Sequence, residues 1–147
     1  MDRIAAWVDE AVSQGAELLT GGKAEGSLYY PTLLGRTTPE MKVRCEEVFG
    51  PVATITPYET FYDALAEVNN SKYGLQAGVF TNDINRAFEA HRTLEVGGVI
   101  INDVSAFRAD QMPYGGSKES GFGREGLRFA MEEMTEQRIM VMSHMPL

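Results

Sequence analysis

The order of apolar and polar segments predicts an α/β fold, with a mostly parallel sheet flanked by helices. Two observations carry that expectation. Between Val52 and Ile101 the chain alternates strand, helix, strand, helix, strand. Strand–helix–strand crossovers make parallel, right-handed pairs. Strands such as Val99-Ile100-Ile101 are also apolar without alternation, as strands covered by helices on both faces are.

The elements follow in order. Asp2 is placed to cap a helix whose apolar positions Ile4, Val8, Ala11 and Val12 recur at helical spacing, and Gly15 stops it. Ala16 to Thr20 reads as a short strand ended by Gly21-Gly22. Tyr29 to Leu34 is a second extended segment, and Pro31 suggests a sheet edge. Val52 to Tyr58 is a β-rich run, followed by a helix from Thr60 to Asn69. In that helix Thr60 and Asp63 form a capping pair, and Phe61, Leu65 and Val68 share a face. Ala77 to Thr81 is the next strand. Asp83 then caps a helix in which Ile84, Ala87, Phe88 and His91 point inward, and Gly97-Gly98 ends the segment before the strand Val99 to Ile101. A polar, glycine-rich loop follows Asn102, then a helix from about Glu125 to Met134 and a final strand from Gln137 to Met142.

Composition narrows the function classes. The chain has 147 residues, 44% hydrophobic and 23% charged, which suits one globular domain with an ordinary core. Its net charge is -8, and the basic residues are scattered. Nucleic acid and anionic membrane both select basic surfaces, so neither is an expected partner. No apolar run approaches the ~20 residues that span a bilayer, and no signal-peptide pattern opens the chain. One cysteine and two distant histidines form neither a disulfide nor a local metal cluster. A cytoplasmic protein is expected.

Several residues invite a chemical reading. Gly121-Phe122-Gly123-Arg124-Glu125-Gly126 matches G-x-G-x-x-G literally. A dinucleotide site needs a buried strand before that motif and a βαβ unit after it. Here Ser117-Lys118-Glu119-Ser120 precedes it, and Glu125 would repel a pyrophosphate. The glycines instead suit a loop with positive φ and close backbone packing. Cys45 is the only thiol, but Glu46 and Glu47 oppose its ionisation and no histidine is near in sequence, so it reads as structural. Glu46 and Glu47 are adjacent, so in an extended segment they face opposite sides and do not serve as a paired acid and base. Asn102 can position the following loop through its side-chain amide. Lys118, Ser120 and Arg124 read as packing and capping residues, and His91 as a hydrogen-bonded core histidine. Trp7, Met131 and Met134 read as packing residues, and His144 as exposed.

Three segments together are more specific than any of these. They are Glu46-Glu47-Val48-Phe49-Gly50-Pro51-Val52, Tyr73-Gly74-Leu75-Gln76-Ala77-Gly78-Val79-Phe80-Thr81, and Met112-Pro113-Tyr114-Gly115-Gly116 continuing to Glu125. In order and spacing the chain resembles the C-terminal third of NAD(P)-dependent aldehyde dehydrogenases, from about Ile4 to about Met142. The resemblance implies that residues 1–136 belong to the catalytic domain and 137–147 to an oligomerisation strand and tail, which makes a homo-oligomer the expected state. It implies that Glu47 hydrogen-bonds the nicotinamide ribose hydroxyls of NAD or NADP, and that Phe49 packs beside the nicotinamide. It also implies that the loop from Asn102 to Gly116 lines the substrate tunnel, with Phe107, Arg108 and Tyr114 facing the aldehyde. An arginine fork there suits a distal carboxylate or phosphate, although a surface salt bridge is the competing use of Arg108. The family's nucleophilic cysteine, general-base glutamate and main nucleotide domain precede the region resembled. No catalytic residue is therefore expected in this chain, and it should be inert alone. Two alternatives stay open: a stand-alone assembly or regulatory module acting by strand pairing, and a complete small enzyme using Cys45.

Overall fold

A computed structural model describes Met1–His144. The chain divides into two compact units, Met1–Ala64 and Leu65 onward.

In the first unit, α1 (Asp2–Ser13) lays Val8 and Ala11 into the core. Asp2 is not the cap: Met1 holds that position, and Asp2 contributes negative charge to the first turn, where it complements the helix dipole. Gly15 stops the helix at φ +106°. β1 (Glu17–Thr20) follows, then β2 (Ala24–Glu25) and β3 (Leu28–Tyr29), which form a short antiparallel hairpin. β4 (Thr32–Gly35) is antiparallel to β1 and parallel to β5 (Val52–Ile55), giving the order β1-β4-β5. β4 is therefore central, contrary to the edge position suggested by Pro31. The proline lies just outside the strand, where its missing N–H costs no ladder bond. α2 (Lys42–Cys45) contributes Val43 to a core with Leu34, Met41, Val8, Ala11 and Ala16, against which Trp7, Tyr29, Val48 and Val52 pack.

α3 (Phe61–Asn69) straddles the division and buries Leu65, while Val68 is exposed. Its start is the reciprocal cap expected: Asp63 Oδ2 accepts from the Thr60 N–H at 2.9 Å and hydroxyl at 2.7 Å, and Thr60 Oγ1 accepts from the Asp63 N–H at 3.2 Å.

In the second unit, β6 (Tyr73–Gly74) pairs antiparallel with β9 (Ser117–Lys118), and β7 (Gln76–Val79) pairs parallel with β8 (Gly98–Ile101). Between β7 and β8 runs α4 (Ile84–Thr93), capped by Asp83, whose carboxylate accepts from the Asn85 N–H at 2.9 Å. The expected parallel crossover is thus present for β7-α4-β8. β5 pairs with β4 and β7 with β8, so the sheets are small and mixed rather than one parallel run.

The covered face of α4 matches expectation at Ala87 alone. Ala87, Ala90 and the following Leu94 are buried, whereas Ile84, Phe88 and His91 are exposed. His91 is therefore not a core histidine. The last helix, α5 (Leu127–Glu133), is short, and Leu127, Met131 and Met134 stand exposed, so the two methionines are not packed here. Gln137 to Met142 forms no strand, because a strand requires a hydrogen-bonded partner; Ile139, Met140, Val141 and Met142 are all exposed. His144 is exposed as expected. Residues 145–147, the end of the expected tail, lie outside the described residues.

Candidate nicotinamide and substrate contacts

In the first unit, the segment from Glu46 to Pro51 is aimed by α1. The Arg3 guanidinium donates to the Val48 carbonyl at 2.8 Å. Ile4 lies against Gly50 so closely that a Cβ there would come within 2.4 Å of Ile4 Cδ1. The Val52 N–H donates to Gly50 O, and the Thr32 N–H to Pro51 O, both at 2.8 Å, fixing the exit into β5. Val48 packs inward against the core. Phe49 then takes φ +51° and turns its ring outward, 81% exposed. A bulky residue in the left-handed region stores ~1–2 kcal/mol of backbone strain. Glu47 is also exposed, and among the described residues no hydrogen bond or ion pair occupies its carboxylate. An acceptor-only carboxylate next to a presented aromatic face can meet a molecule that has hydroxyl donors beside a flat ring.

Cys45 ends α2, and its thiol points to the Glu40 carbonyl at 3.6 Å. The Arg44 guanidinium is turned instead to the Thr37 carbonyl, at 3.0 Å. Among the described residues no group of three or more His, Cys, Asp or Glu is placed to hold a metal ion.

The second unit assembles the other predicted residues. The Asn102 side chain accepts from the Thr81 N–H at 2.8 Å, anchoring the loop as its amide predicted. Phe107 is half-exposed within that loop. Arg108 and Tyr114 come together, with the guanidinium 4.6 Å from the ring centroid. The sequence did not reveal the third member, Glu125, whose carboxylate receives Arg108 Nη2 at 2.5 Å. A two-way backbone bridge between Tyr114 and Glu125 fixes that meeting. Both ends of the ion pair are more than half exposed, so its worth is at the surface level of ~0–1 kcal/mol. Arg108 thus makes the surface salt bridge, and its side chain remains about half open to solvent.

The glycine-rich segment is a loop. Gly121, Gly123 and Gly126 have φ of +141°, +69° and +116°, and Gly126 directly precedes α5. Arg124 donates to the Gly116 and Gly123 carbonyls at 2.9 and 2.7 Å, and Ser120 Oγ accepts from the Gly74 N–H at 2.9 Å. Lys118 caps the end of α3, donating to the Asn69 and Ser71 carbonyls at 2.7 and 3.1 Å and pairing with Glu95 at 2.9 Å. These three residues are structural, as their sequence setting predicts. Among the described residues no helix is long and apolar enough to cross a membrane.

Known proteins share this sequence and fold. The chain is 51% identical over 142 residues to 3-sulfolactaldehyde dehydrogenase of Priestia megaterium, covering 97% of this chain and 30% of that protein. It is 45% identical over 139 residues to a lactaldehyde dehydrogenase of Methanococcus maripaludis, covering 95% and 30%. Among solved structures, aldehyde dehydrogenase 21 of Physcomitrella patens, in complex with the reaction product succinate, superposes with a TM-score of 0.93 at 48% identity, over 96% of this chain and 29% of that one. Glyceraldehyde-3-phosphate dehydrogenase GapN of Methanocaldococcus jannaschii, complexed with NADP, gives 0.85 at 42% identity, over 90% and 29%. The chain therefore spans about a third of the length of these relatives. The aldehyde dehydrogenase family profile matches residues 1–140, and with that match, the shared fold and the three motifs in register, the chain belongs to the aldehyde dehydrogenase family.

Proposed function

We propose that this chain is the C-terminal portion of an NAD(P)-dependent aldehyde dehydrogenase, which oxidises an aldehyde to a carboxylic acid through a cysteine thiohemiacetal. The observation that carries the reading is the presentation of Phe49 and Glu47: a strained, exposed ring beside a carboxylate without a partner, inside the E-E-V-F-G-P segment. The fit to a nicotinamide riboside is chemical. Glu47 can accept from two vicinal hydroxyls, and the Phe49 ring can hold a flat heterocycle and keep water from one side of it. When bound, the nicotinamide supplies the hydride-accepting carbon; this chain's part is to orient it. NAD and NADP both suit these two residues.

Tyr114 offers an aromatic face to the aldehyde, with Phe107 on the same loop, and Arg108 over the Tyr114 ring adds an anion-seeking edge. Relatives are named for 3-sulfolactaldehyde and for glyceraldehyde-3-phosphate, and one neighbour holds succinate. All three molecules carry an anionic group, whereas the lactaldehyde of another relative carries none, so the anionic class rests on Arg108. Cys45, the one thiol of the sequence, is not the nucleophile in this reading, since it faces a backbone carbonyl. It acts in a cytoplasmic homo-oligomer, with residues 137–147 as the assembling segment. The exposed apolar run Ile139–Met142 also supports the second reading, a module that works by strand pairing alone.

The test is a chimera in which this chain replaces the matching segment of the P. megaterium enzyme, assayed for reduced nicotinamide. The isolated chain should give no turnover, and the chimera should. Phe49→Ala or Glu47→Gln should raise the chimera's cofactor KM about tenfold. Turnover by the isolated chain that vanishes in Cys45→Ala would overturn the reading.

A further inference from the structure

We infer that Gln76 and Gly78 are positioning residues for the Phe107–Arg108 segment, forming a seat on β7 that fixes how this loop meets the aldehyde. The inference rests on the reading of that loop as substrate wall.

Residues 76 and 78 lie two apart on a strand and so share a face. Contacts at three points along its length hold the loop near β7. Gln76 Nε2 donates to the Phe107 carbonyl at 3.0 Å, across 31 residues of sequence. At Gly78 a Cβ would stand 2.6 Å from the Asp103 carbonyl oxygen and 3.3 Å from the Ser105 nitrogen. At the far end, Asn102 Oδ1 accepts from the Thr81 N–H, and the Asn102 N–H donates to Val79 O at 2.9 Å. The loop therefore runs back along the strand, tied at both ends and in direct backbone contact between them.

The room for this arrangement comes from β8. Gly98 is the register partner of Gln76. A Cβ on Gly98 would approach Gln76 Cγ to 3.2 Å and Nε2 to 3.5 Å. The glutamine side chain thus extends across a partner that lacks a side chain. Its Oε1 is buried and has no partner among the described residues. The Nε2 bond to Phe107 is accordingly the polar contact that sets the direction of this amide. Gln76 and Gly78 sit within the Y-G-L-Q-A-G-V-F-T motif, so the seat is built into one of the three motif segments.

Positioning is separable from stability. Trypsin cleavage of the full chain after Arg108 reads loop opening, and cleavage after Arg138 in the exposed tail serves as internal standard. Gln76→Met keeps length and removes the donor; it should raise the cleavage ratio about fivefold. Gly78→Ala should do at least as much. Gln76→Glu, which also removes the donor, repeats the test should the methionine variant fail to fold. Unchanged ratios in all folded variants would overturn the inference. In the chimera, Gln76→Met should raise the aldehyde KM about fivefold and leave kcat and cofactor KM within about twofold. Faster cleavage with an unchanged aldehyde KM would overturn the substrate-wall reading, and with it the specificity role, while leaving the tether in place. Parallel losses in kcat and cofactor KM would mark a general lesion and overturn the positioning role.

Discussion

Gly97 offers a substitution whose outcome is fixed by one contact. Its φ lies outside the left-handed region, so a left-handed backbone is not what excludes a side chain there. A Cβ, however, would stand 1.6 Å from the Gly115 carbonyl oxygen, 2.7 Å from its carbon and 3.1 Å from the Leu75 oxygen. To open even 3.0 Å, backbone must withdraw by about 1.4 Å. Neither side is free to do so. The Gly97 N–H is bonded to Gly74 O at 3.0 Å, and the residue before Gly115 is bridged both ways to Glu125. Gly115 itself abuts the Gly123 carbonyl, 2.7 Å from where its own Cβ would be. Overpacking of this kind costs ~3 kcal/mol or more, a large share of a domain's stability. Gly15→Ala is the control: it has nothing within 4 Å but φ +106°, so only backbone strain acts. That strain, partly offset by the entropy that alanine removes from the unfolded chain, should cost about 1 kcal/mol. Urea denaturation of both variants should therefore separate them by about 2 kcal/mol. Equal midpoints would refute the claim that the Gly97–Gly115 crossing is rigid.

Other outcomes follow from the same geometry. Lys118→Met strips two carbonyls of a charged donor and should destabilise the second unit by about 2–3 kcal/mol, whereas Glu95→Gln should cost under about 1, since Glu95 is mostly solvated; comparable losses would contradict this ranking. The Arg92 hydrogen bond holds the Glu89 carboxyl below the ordinary glutamate value, with a further contribution from Thr93. Because that pKa is depressed in the folded state, its contribution is present above the ordinary glutamate pKa and lost as pH falls through the folded value. NMR titration should show a lowered Glu89 midpoint that moves upward in Arg92→Met.

Much of the frame was legible because short-range chemistry wrote it. The Thr60–Asp63 and Asp83 caps, the stop at Gly15 and the loop role of the late glycines each depend on residues within four positions of one another. The motif segments were legible as well, and Glu47, Phe49 and Tyr114 stand inside them. What failed needed long-range information. Helical period groups Ile84, Ala87, Phe88 and His91 on a stripe but does not say how far that stripe is covered; of the four only Ala87 is buried, beside Ala90. Pro31 signals a break in pairing, not which side of the break is central. The β6–β9 ladder, the Glu125 partner of Arg108 and the Gln76 tie to Phe107 join residues far apart in sequence by one or two bonds each. No local pattern encodes them.

The backbone at Phe49 has a consequence for protein engineering. At φ +51° with its ring in solvent, this position pays in conformational energy for a side chain that contributes no packing to the fold. Asparagine or glycine would relax it by ~1 kcal/mol. A library ranked by heat resistance should therefore enrich Phe49→Asn and Phe49→Gly, and deplete the very ring that the proposed nicotinamide contact requires. Selecting this chain for robustness alone would breed hardier proteins that have forgotten their coenzyme.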